Sequence, residues 1–202
     1  MIPRWAGSAA ALALSLGWLH LLAGAPWLHR LVQRVVAPAW ARRQAPALPG
    51  ALARFVTGDG ELEACFRETG LERALLPAEA RRHLPEVQQR FAFAGSLAQG
   101  AAIAAVALGW RAPAATLRWA GWTLLGLGLG GVVGALFAFP LLWARYHRLA
   151  YRTEDWRLPA ESLLAILYPE PFYRLLALAW GGGIVVAGGG LLASSRLLEG
   201  WR

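Results

Sequence analysis

The chain lacks lysine, so all 20 of its basic residues are arginines, and they exceed the 12 acidic residues to give a net charge of +8. A basic balance of this size also occurs in nucleic-acid-binding proteins. Here, however, the arginines flank apolar runs instead of clustering on one soluble module. We therefore predict no nucleic-acid partner and expect the arginines to meet anionic membrane lipid.

Cysteine and the common catalytic motifs are also scarce. The single cysteine, Cys65, excludes an internal disulfide and a multi-cysteine metal site, and its apolar neighbours predict a small core residue. The sequence contains no G-x-S-x-G nucleophile elbow and no HExxH zinc motif. It therefore predicts neither a serine hydrolase nor a cofactor, and a nucleophile would have to come from the substrate.

Uncharged runs are what the chain has in abundance, and 57% of its residues are hydrophobic. Each run is long enough to cross ~30 Å of hydrocarbon at ~1.5 Å per residue. The first run could also be a signal peptide, but Pro26 would then be the first mature residue and three more runs follow. We predict an uncleaved first helix and membrane spans at about 5–26, 91–110, 119–143 and 174–195.

Glycine is frequent in the third and fourth runs, where small residues let helices approach closely in lipid. Gly126, Gly130 and Gly134 fall four residues apart, and Gly121, Gly128 and Gly131 add to them. We interpret these glycines as packing residues, because no glycine-rich loop here follows a strand. The predicted fold class is all-α integral membrane, a bundle of four transmembrane helices in a single membrane domain over 1–202.

The region between the first two spans, 27–88, is the most soluble in character and predicts a small helical extramembrane cap. Its first part, 27–43, is amphipathic and either lies in the membrane interface with its arginines on headgroups or packs on the cap. The part from 51 to 84 has the pattern of short helical pieces. It is too small to be stable without the membrane part.

A second polar stretch, 145–173, is rich in aromatic residues, which suit the membrane–water boundary. Its three prolines predict an irregular loop with one helical turn near Glu161–Leu167. Because the chain crosses the membrane four times, the cap and this loop are expected on the same side. We interpret 145–173 as a functional loop at the bilayer surface.

Four histidines are present, of which His20 and His29 lie in or at the end of the first span and have the character of structural residues. His83 and His147 both lie near membrane boundaries and are predicted on the same side. Pro85 is expected at the first position of a helix, with His83 just outside it and Glu86 orienting its ring. The pair could serve as a general base and its partner, bind zinc with a carboxylate, or be structural.

Two stretches resemble the signatures of a family of small four-span bacterial membrane proteins. The sequence His83-Leu84-Pro85-Glu86-Val87 is similar to H-[LM]-x-[DE]-V leading into a span. The second signature, F-H-x-x-F-F-x-G-x-x-W and later L-x-x-L-F-P-x-x-F, is similar to the stretch that contains His147, Trp156, Leu167-Tyr168-Pro169 and Phe172. Over nearly its whole length the chain resembles the lipoprotein intramolecular transacylase family, although Ala150 and Thr153 depart from the pattern.

This resemblance implies an acyl transfer. The sn-2 acyl chain of a diacylglyceryl lipoprotein would move to the α-amine of that lipoprotein's own N-terminal cysteine. The resemblance gives catalysis to His83 and His147, with His147 as base and His83 stabilising the oxyanion, or the reverse. Residues that would position the substrate, or merely anchor the protein at the interface, are Arg145, Tyr146, Tyr151 and Trp156.

The orientation in the membrane is predicted differently by two arguments. Arginines near the span ends are more numerous on the side of the cap and loop, which favours a cytoplasmic cap. The resemblance implies the outer face of a bacterial plasma membrane, where diacylglyceryl lipoproteins lie, and we adopt that orientation. The alternative function is that of a non-catalytic membrane protein that binds lipid or a partner through its cap.

Overall fold

The computed structural model of the chain describes residues 2–67, 69–70, 76–151 and 157–200. The first part of the chain contains α1 and a series of shorter helices: α1 (Ile2–Ala23), α2 (Pro26–Val36), α3 (Ala39–Gln44), α4 (Leu48–Val56) and α5 (Leu62–Arg67). The remainder contains α6 (Ala78–Gly109), α7 (Pro113–Phe137), α8 (Phe139–Ala150), α9 (Leu163–Leu167) and α10 (Glu170–Gly200).

Among the described residues, four helices are long and apolar enough to cross a membrane, namely α1, α6, α7 and α10. Many of their large apolar side chains are exposed, including Val186 at 76% and Val106 at 72%. Exposed aliphatic side chains of this number on long helices are what lipid contact requires. The predicted all-α membrane fold with four spans is confirmed, and the protein is a multi-pass membrane protein.

The chain divides into two compact units. The first unit comprises residues 1–20, 93–137 and 177–202, which are the apolar parts of the four long helices. The second comprises residues 21–92 and 138–176. The two stretches that the sequence predicts on one side of the membrane, 27–88 and 145–173, therefore belong to the same unit.

Close backbone approach between α7 and α10 organises the first unit. A Cβ added at Gly121 would lie 2.9 Å from the carbonyl oxygen of Gly188, and one at Gly128 would lie 2.8 Å from that of Gly181. Both pairs repeat after seven residues, a spacing that keeps the same helix face in contact. By contrast, Gly126 and Gly130 have no heavy atom within 4 Å of an added Cβ, so these two glycines of the predicted four-residue stripe do not lie at a close contact.

Two tryptophans connect α1 to α10 in the same unit. Trp180 Nε1 donates to the carbonyl oxygen of Ser15 at 3.1 Å, and Trp18 Nε1 donates to that of Ala179 at 3.3 Å. An added Cβ at Gly183 would collide with the indole of Trp18. The first unit thus combines glycine-permitted contact with indole hydrogen bonds to backbone, both of which stabilise helix association in lipid.

The cap helices of the second unit form a small core of their own. Helix α4 packs against both α2 and α5, and the rings of Phe55 and Phe66 meet edge to face at 6.4 Å. Gln88 of α6 donates to the backbone carbonyls of Phe55 and Gly60, at 2.8 and 3.2 Å, and so fastens the cap to α6. Cys65 is 5% exposed within this core, in agreement with its predicted place.

The third span and the functional loop have different limits from those predicted. Helix α7 ends at Phe137, and Ala138 adopts a non-helical conformation before α8 begins at Phe139. Pro140 lies in the first turn of α8, where its missing N–H costs no hydrogen bond. The start of the predicted loop, from Arg145 to Ala150, is therefore helical rather than irregular. Farther on, the predicted helical turn is present as α9, which Ser162 caps by accepting from the N–H of Ala165 at 3.2 Å.

Candidate active site

His83 lies in the second turn of α6, before the uncharged membrane-spanning part of that helix begins at Phe91. The helix starts at Ala78, so the predicted start at Pro85 is wrong and Pro85 lies inside the helix. The stretch from Ala78 to Leu84 consists mostly of strong helix formers, and Glu79 in the first turn complements the helix dipole. These preferences extend the helix ahead of the proline, and His83 is held on a helical backbone rather than outside its end.

His147 lies near the end of α8 and is 3% exposed. Its Nδ1 is 2.9 Å from the carbonyl oxygen of Trp143, one turn earlier on the same helix. Since a carbonyl oxygen can only accept, Nδ1 carries the proton, and Nε2 holds the lone pair in the neutral ring. The indole of Trp143 also contacts the imidazole edge to face at 4.1 Å. The helix thus fixes both the ring's orientation and its tautomer.

The two histidine rings meet in the second unit, with centroids 6.0 Å apart and planes inclined by 35°. Tyr151 lies against both, at 4.5 Å from His83 and 5.2 Å from His147. Tyr151 is the residue after α8, and its N–H donates to the carbonyl oxygen of His147 at 2.9 Å. The end of one helix therefore brings an imidazole and a phenol together against the first turns of another.

Burial keeps both imidazoles neutral. Desolvation lowers the pKa of His83 from 6.5 to about 4, and the proximity of His147 adds to the shift. Desolvation also lowers the pKa of His147, and the hydrogen bond to Trp143 partly opposes this. Two neutral imidazoles at pH 7 can each accept a proton at one nitrogen and donate from the other.

Two tyrosine hydroxyls lie beside the histidines. The Oη atoms of Tyr146 and Tyr151 are 3.5 Å apart, and the Tyr146 ring meets that of His147 edge to face at 5.2 Å. Burial raises the pKa of Tyr151 well above its usual range, so its hydroxyl remains protonated. Tyr151 is 5% exposed, whereas Tyr146 is 46% exposed at the surface. The site therefore contains tyrosine hydroxyls at two depths.

Arg90 and Trp143 are parts of this site that the sequence did not single out. Arg90, two turns after His83 on α6, donates through Nη2 to the carbonyl oxygen of Ala150 at the end of α8. This bond joins the two helices that present the histidines. Arg90 follows His83 by seven residues, and Trp143 precedes His147 by four. These spacings place residues on the same face of a helix, so they could have identified Arg90 and Trp143 from the sequence.

The remaining predicted site residues, Glu86, Arg145 and Trp156, are not shown in contact with the histidine rings in the described part of the chain. Glu86 acts electrostatically on Tyr151, raising the pKa of its hydroxyl, but no hydrogen bond joins Glu86 to His83 within the described residues. Arg145 is an exposed residue of α8, two positions before His147 and hence on a different helix face. Trp156 lies outside the described residues.

His20 and His29 are not part of this histidine cluster. His20 belongs to the first unit. His29 is 4% exposed on α2, and its ring meets Tyr168 and Phe172 edge to face at 5.9 and 5.5 Å. Desolvation lowers the pKa of His29 to about 4. Within the described residues, no group of three or more histidine, cysteine, aspartate or glutamate side chains is placed to hold a metal ion.

The fold and the site together define a multi-pass α-helical membrane protein whose second unit brings two histidines together. Among solved structures, the chain is similar to the membrane-integral lipoprotein intramolecular transacylase Lit from Bacillus cereus, with a TM-score of 0.85. The match covers 98% of this chain and 94% of that one, at 15% sequence identity. No protein-family model and no curated protein matches the sequence. The predicted resemblance is confirmed at the level of the fold.

Proposed function

We propose that this protein is a membrane acyltransferase that acts on diacylglyceryl lipoproteins. It moves the sn-2 acyl chain to the α-amine of the lipoprotein's own N-terminal cysteine and leaves a lyso-form lipoprotein. The observation that carries the proposal is the meeting of His83 and His147 at 6.0 Å. Two residues from separate stretches of the chain converge with neutral, oriented rings, as proton transfer requires. The fold shared with a lipoprotein transacylase supports the same reaction class.

In this reaction the substrate amine attacks the carbonyl carbon of the sn-2 ester. His147 accepts the amine proton at Nε2, the nitrogen that its hydrogen bond to Trp143 leaves with the lone pair. A nitrogen–carbon bond forms and the ester carbon–oxygen bond breaks. The same proton then passes from His147 to the departing glycerol oxygen, so the enzyme ends the cycle unchanged.

The transferring atoms form a small ring. Counting from the amine nitrogen through Cα, Cβ, sulfur, two glycerol carbons and the ester oxygen to the carbonyl carbon gives an eight-membered ring. An intramolecular attack gains from proximity once the site holds the substrate chain in a folded form. The protein therefore needs to supply orientation and proton transfer, and no nucleophile of its own.

His83 is assigned to the oxyanion that forms on the ester carbonyl. In its neutral form the imidazole can donate one hydrogen bond towards a group lying between the two rings. The protonated hydroxyl of Tyr151 lies against both rings and is a second candidate donor. Tyr146, together with Glu86, Arg145 and Trp156, is proposed to orient the site or position the lipid substrate.

Location follows from the substrate. Diacylglyceryl lipoproteins lie on the outer face of the bacterial plasma membrane, so we place the cap and the histidine pair on that face. The exposed arginines there would meet lipid headgroups. Cysteine-labelling from either side of the membrane tests this placement, and access to the cap only from the cytoplasm would contradict it.

The test is mass spectrometry of lipoprotein N-termini. The protein is expressed in a host that makes diacylglyceryl lipoproteins with free amines, alongside the variants His83→Ala and His147→Ala. Wild-type protein should convert the lipoproteins to N-acyl lyso-forms. Each variant should lose about 10²- to 10⁴-fold in rate, the range for a removed general acid or base.

His29→Ala is the matched control, since His29 is as buried as His147 but contacts Tyr168 and Phe172 instead. Per folded protein in the membrane, this variant should retain activity. No conversion by well-expressed wild-type protein would exclude the transacylase and favour a lipid- or partner-binding protein of the same fold. Equal losses in all three variants would mean that the histidines act through stability alone.

A further inference from the structure

A basic pocket lies in the cap, formed by α2, α3 and the start of α4. Its volume is about 210 Å³, and its lining includes Arg30, Arg34, Arg42 and Gln33, with Pro46 and Pro49 in the wall. None of the lining residues is acidic. Three guanidinium groups around one cavity make a concentration of positive charge with the fork geometry that binds phosphate oxygens.

The surrounding chain does not neutralise these arginines. The first acidic residue in the sequence is Asp59, so α1 to α4 contain no carboxylate side chain. Within the described part of the chain, neither Arg30 nor Arg34 forms an ion pair. The positive charge of the pocket is therefore available to an external anion.

The pocket is also partly organised. Arg42 donates from Nη1 to the backbone carbonyl of Gln33 at 3.1 Å, which holds its guanidinium against α2. The side chain of Gln33 is 3% exposed and interacts with the hydroxyl of Tyr168, which holds this part of the pocket wall in place.

An apolar stripe runs beside the pocket on the same helix. Trp27, Leu31 and Val35, spaced by four residues, are 62%, 51% and 74% exposed. Arg30 and Arg34 each precede a member of this stripe by one residue, so their side chains lie along its edge. A helix with exposed apolar residues next to arginines fits the boundary between acyl chains and headgroups.

From the three arginines that line the pocket and the adjacent apolar stripe, we infer that this pocket binds the phosphate group of a membrane phospholipid, with the lipid's acyl chains along the stripe. The site would fasten the cap to the bilayer surface. Its lining contains neither histidine of the pair, and its ligand carries a phosphate that the diacylglyceryl group of the proposed substrate lacks.

The inference is tested by lipid titration of the purified full-length protein in a neutral detergent. Native mass spectrometry and the thermal midpoint are recorded with phosphatidylglycerol, with diacylglycerol, and with inorganic phosphate. Phosphatidylglycerol should be retained and raise the midpoint, whereas diacylglycerol and millimolar phosphate should have little effect. Arg30→Gln combined with Arg34→Gln should weaken phosphatidylglycerol binding about tenfold or more, as expected for lost charge-assisted hydrogen bonds.

Arg43→Gln combined with Arg196→Gln is the matched control, because both residues are exposed, neither lines the pocket and the same charge is removed. Equal weakening by both double variants would overturn the site in favour of general surface charge. Equal binding of diacylglycerol would assign binding to the apolar stripe alone. Inorganic phosphate acting as strongly as phosphatidylglycerol would overturn the lipid assignment. No readout depends on acyl transfer, so the outcome is separate from that of the proposed reaction.

Discussion

The two units of this protein are stabilised by different kinds of contact. In the first, backbones touch at Gly121 and Gly128, and the buried cluster around Leu124 and Ile184 contains only apolar side chains. In the second, aromatic and imidazole rings meet around His147, and helix ends are joined by side-chain hydrogen bonds to backbone carbonyls. The first unit serves association in lipid, and the second holds titratable groups at fixed orientations.

The difference shows where chemistry can be accommodated in a membrane protein. Ionisable groups in the hydrocarbon region are costly, and small residues there maximise packing instead. The second unit lies in the part of the chain that carries the cap, outside the apolar runs, where partly buried imidazoles and hydroxyls can be satisfied. Stability and proposed activity should therefore respond to substitutions in different units, and five predictions examine this separation.

The largest effect is expected from His147→Phe. Phenylalanine retains an aromatic ring near Trp143 and Tyr151 but has no nitrogen to accept a proton. Acyl transfer should fall by about 10²- to 10⁴-fold. The thermal midpoint should drop only modestly, because the hydrogen bond to the Trp143 carbonyl is worth about 1 kcal/mol and the ring contacts are retained. Lipoprotein mass spectrometry measures acyl transfer, and a melting curve in detergent measures stability. A collapse of the fold would mean that activity and stability cannot be separated at His147.

A substitution in the first unit should lower stability and leave the activity of the folded protein unchanged. Gly128→Ala places a methyl group 2.8 Å from the carbonyl oxygen of Gly181, so α7 and α10 must move apart. We expect a loss of about 1–3 kcal/mol of stability, as for other overpacked interiors. Activity per folded molecule should be retained.

Gly130→Ala on the same helix is the control, since nothing lies within 4 Å of the added Cβ. It should be neutral or slightly stabilising, because alanine favours a helix over glycine. Similar losses at the two glycines would show that the seven-residue contact does not determine association of these helices.

A smaller effect is expected from Arg90→Gln, which weakens the connection between α6 and the end of α8 at Ala150. The two histidine rings would then be held less firmly, and we expect a several-fold loss of acyl transfer, in line with about 1 kcal/mol for an exposed bond. Arg148→Gln, an exposed arginine on α8, is the comparison and should change the rate less. An equal change would indicate that overall positive charge, rather than this bond, supports the rate.

The smallest effect concerns pH. The folded-state pKa of His83 is lowered to about 4 from 6.5, so between these values the unfolded chain binds more protons. This group therefore lowers stability as pH falls from about 6.5 towards 4 and has no effect above about 7.5. The melting temperature of wild-type protein should decline more between pH 7 and 5 than that of His83→Phe, and parallel declines would contradict the lowered pKa.

The same shifts predict the acid side of the rate profile. Because the pKa of His147 is lowered, its neutral form persists below pH 6.5. The loss of rate caused by protonation of His147 should therefore occur below pH 6.5. The substrate α-amine has a pKa near ~8, so its deprotonation makes the rate rise with pH in the neutral range. A histidine limb with its midpoint at pH 6.5 would contradict the lowered pKa, because that midpoint is typical of a solvent-exposed imidazole.

Much of this architecture could be predicted because the membrane constrains sequence strongly. Uncharged runs have to become helices, since lipid offers no partners for free backbone groups. Their number was accordingly anticipated, and each predicted span overlaps one of the four long apolar helices. The pairing of His83 with His147 was anticipated because four crossings bring the cap and the second loop to one side, and because both sequence stretches resemble one family.

The errors arose where local preference and tertiary contact compete. Pro85 was expected to start a helix, but the helix formers that precede it extend α6 back to Ala78. Gly126 and Gly130 have the familiar four-residue spacing, yet contact occurs at Gly121 and Gly128, because which face meets α10 depends on how the helices cross. Neither choice can be deduced from one helix alone.

By itself, then, the sequence determined the class of protein, the number of its membrane-spanning helices and the two stretches from which a site could form. These follow from hydropathy, charge and spacing, which act along the chain. Only the tertiary structure decided the tautomer of His147, the contact of Tyr151 with both imidazoles and the bond from Arg90 to the end of α8. The tautomer depends on which ring nitrogen of His147 faces the Trp143 carbonyl. The other two depend on the distance between α6 and the end of α8, which is set by packing rather than by any local preference.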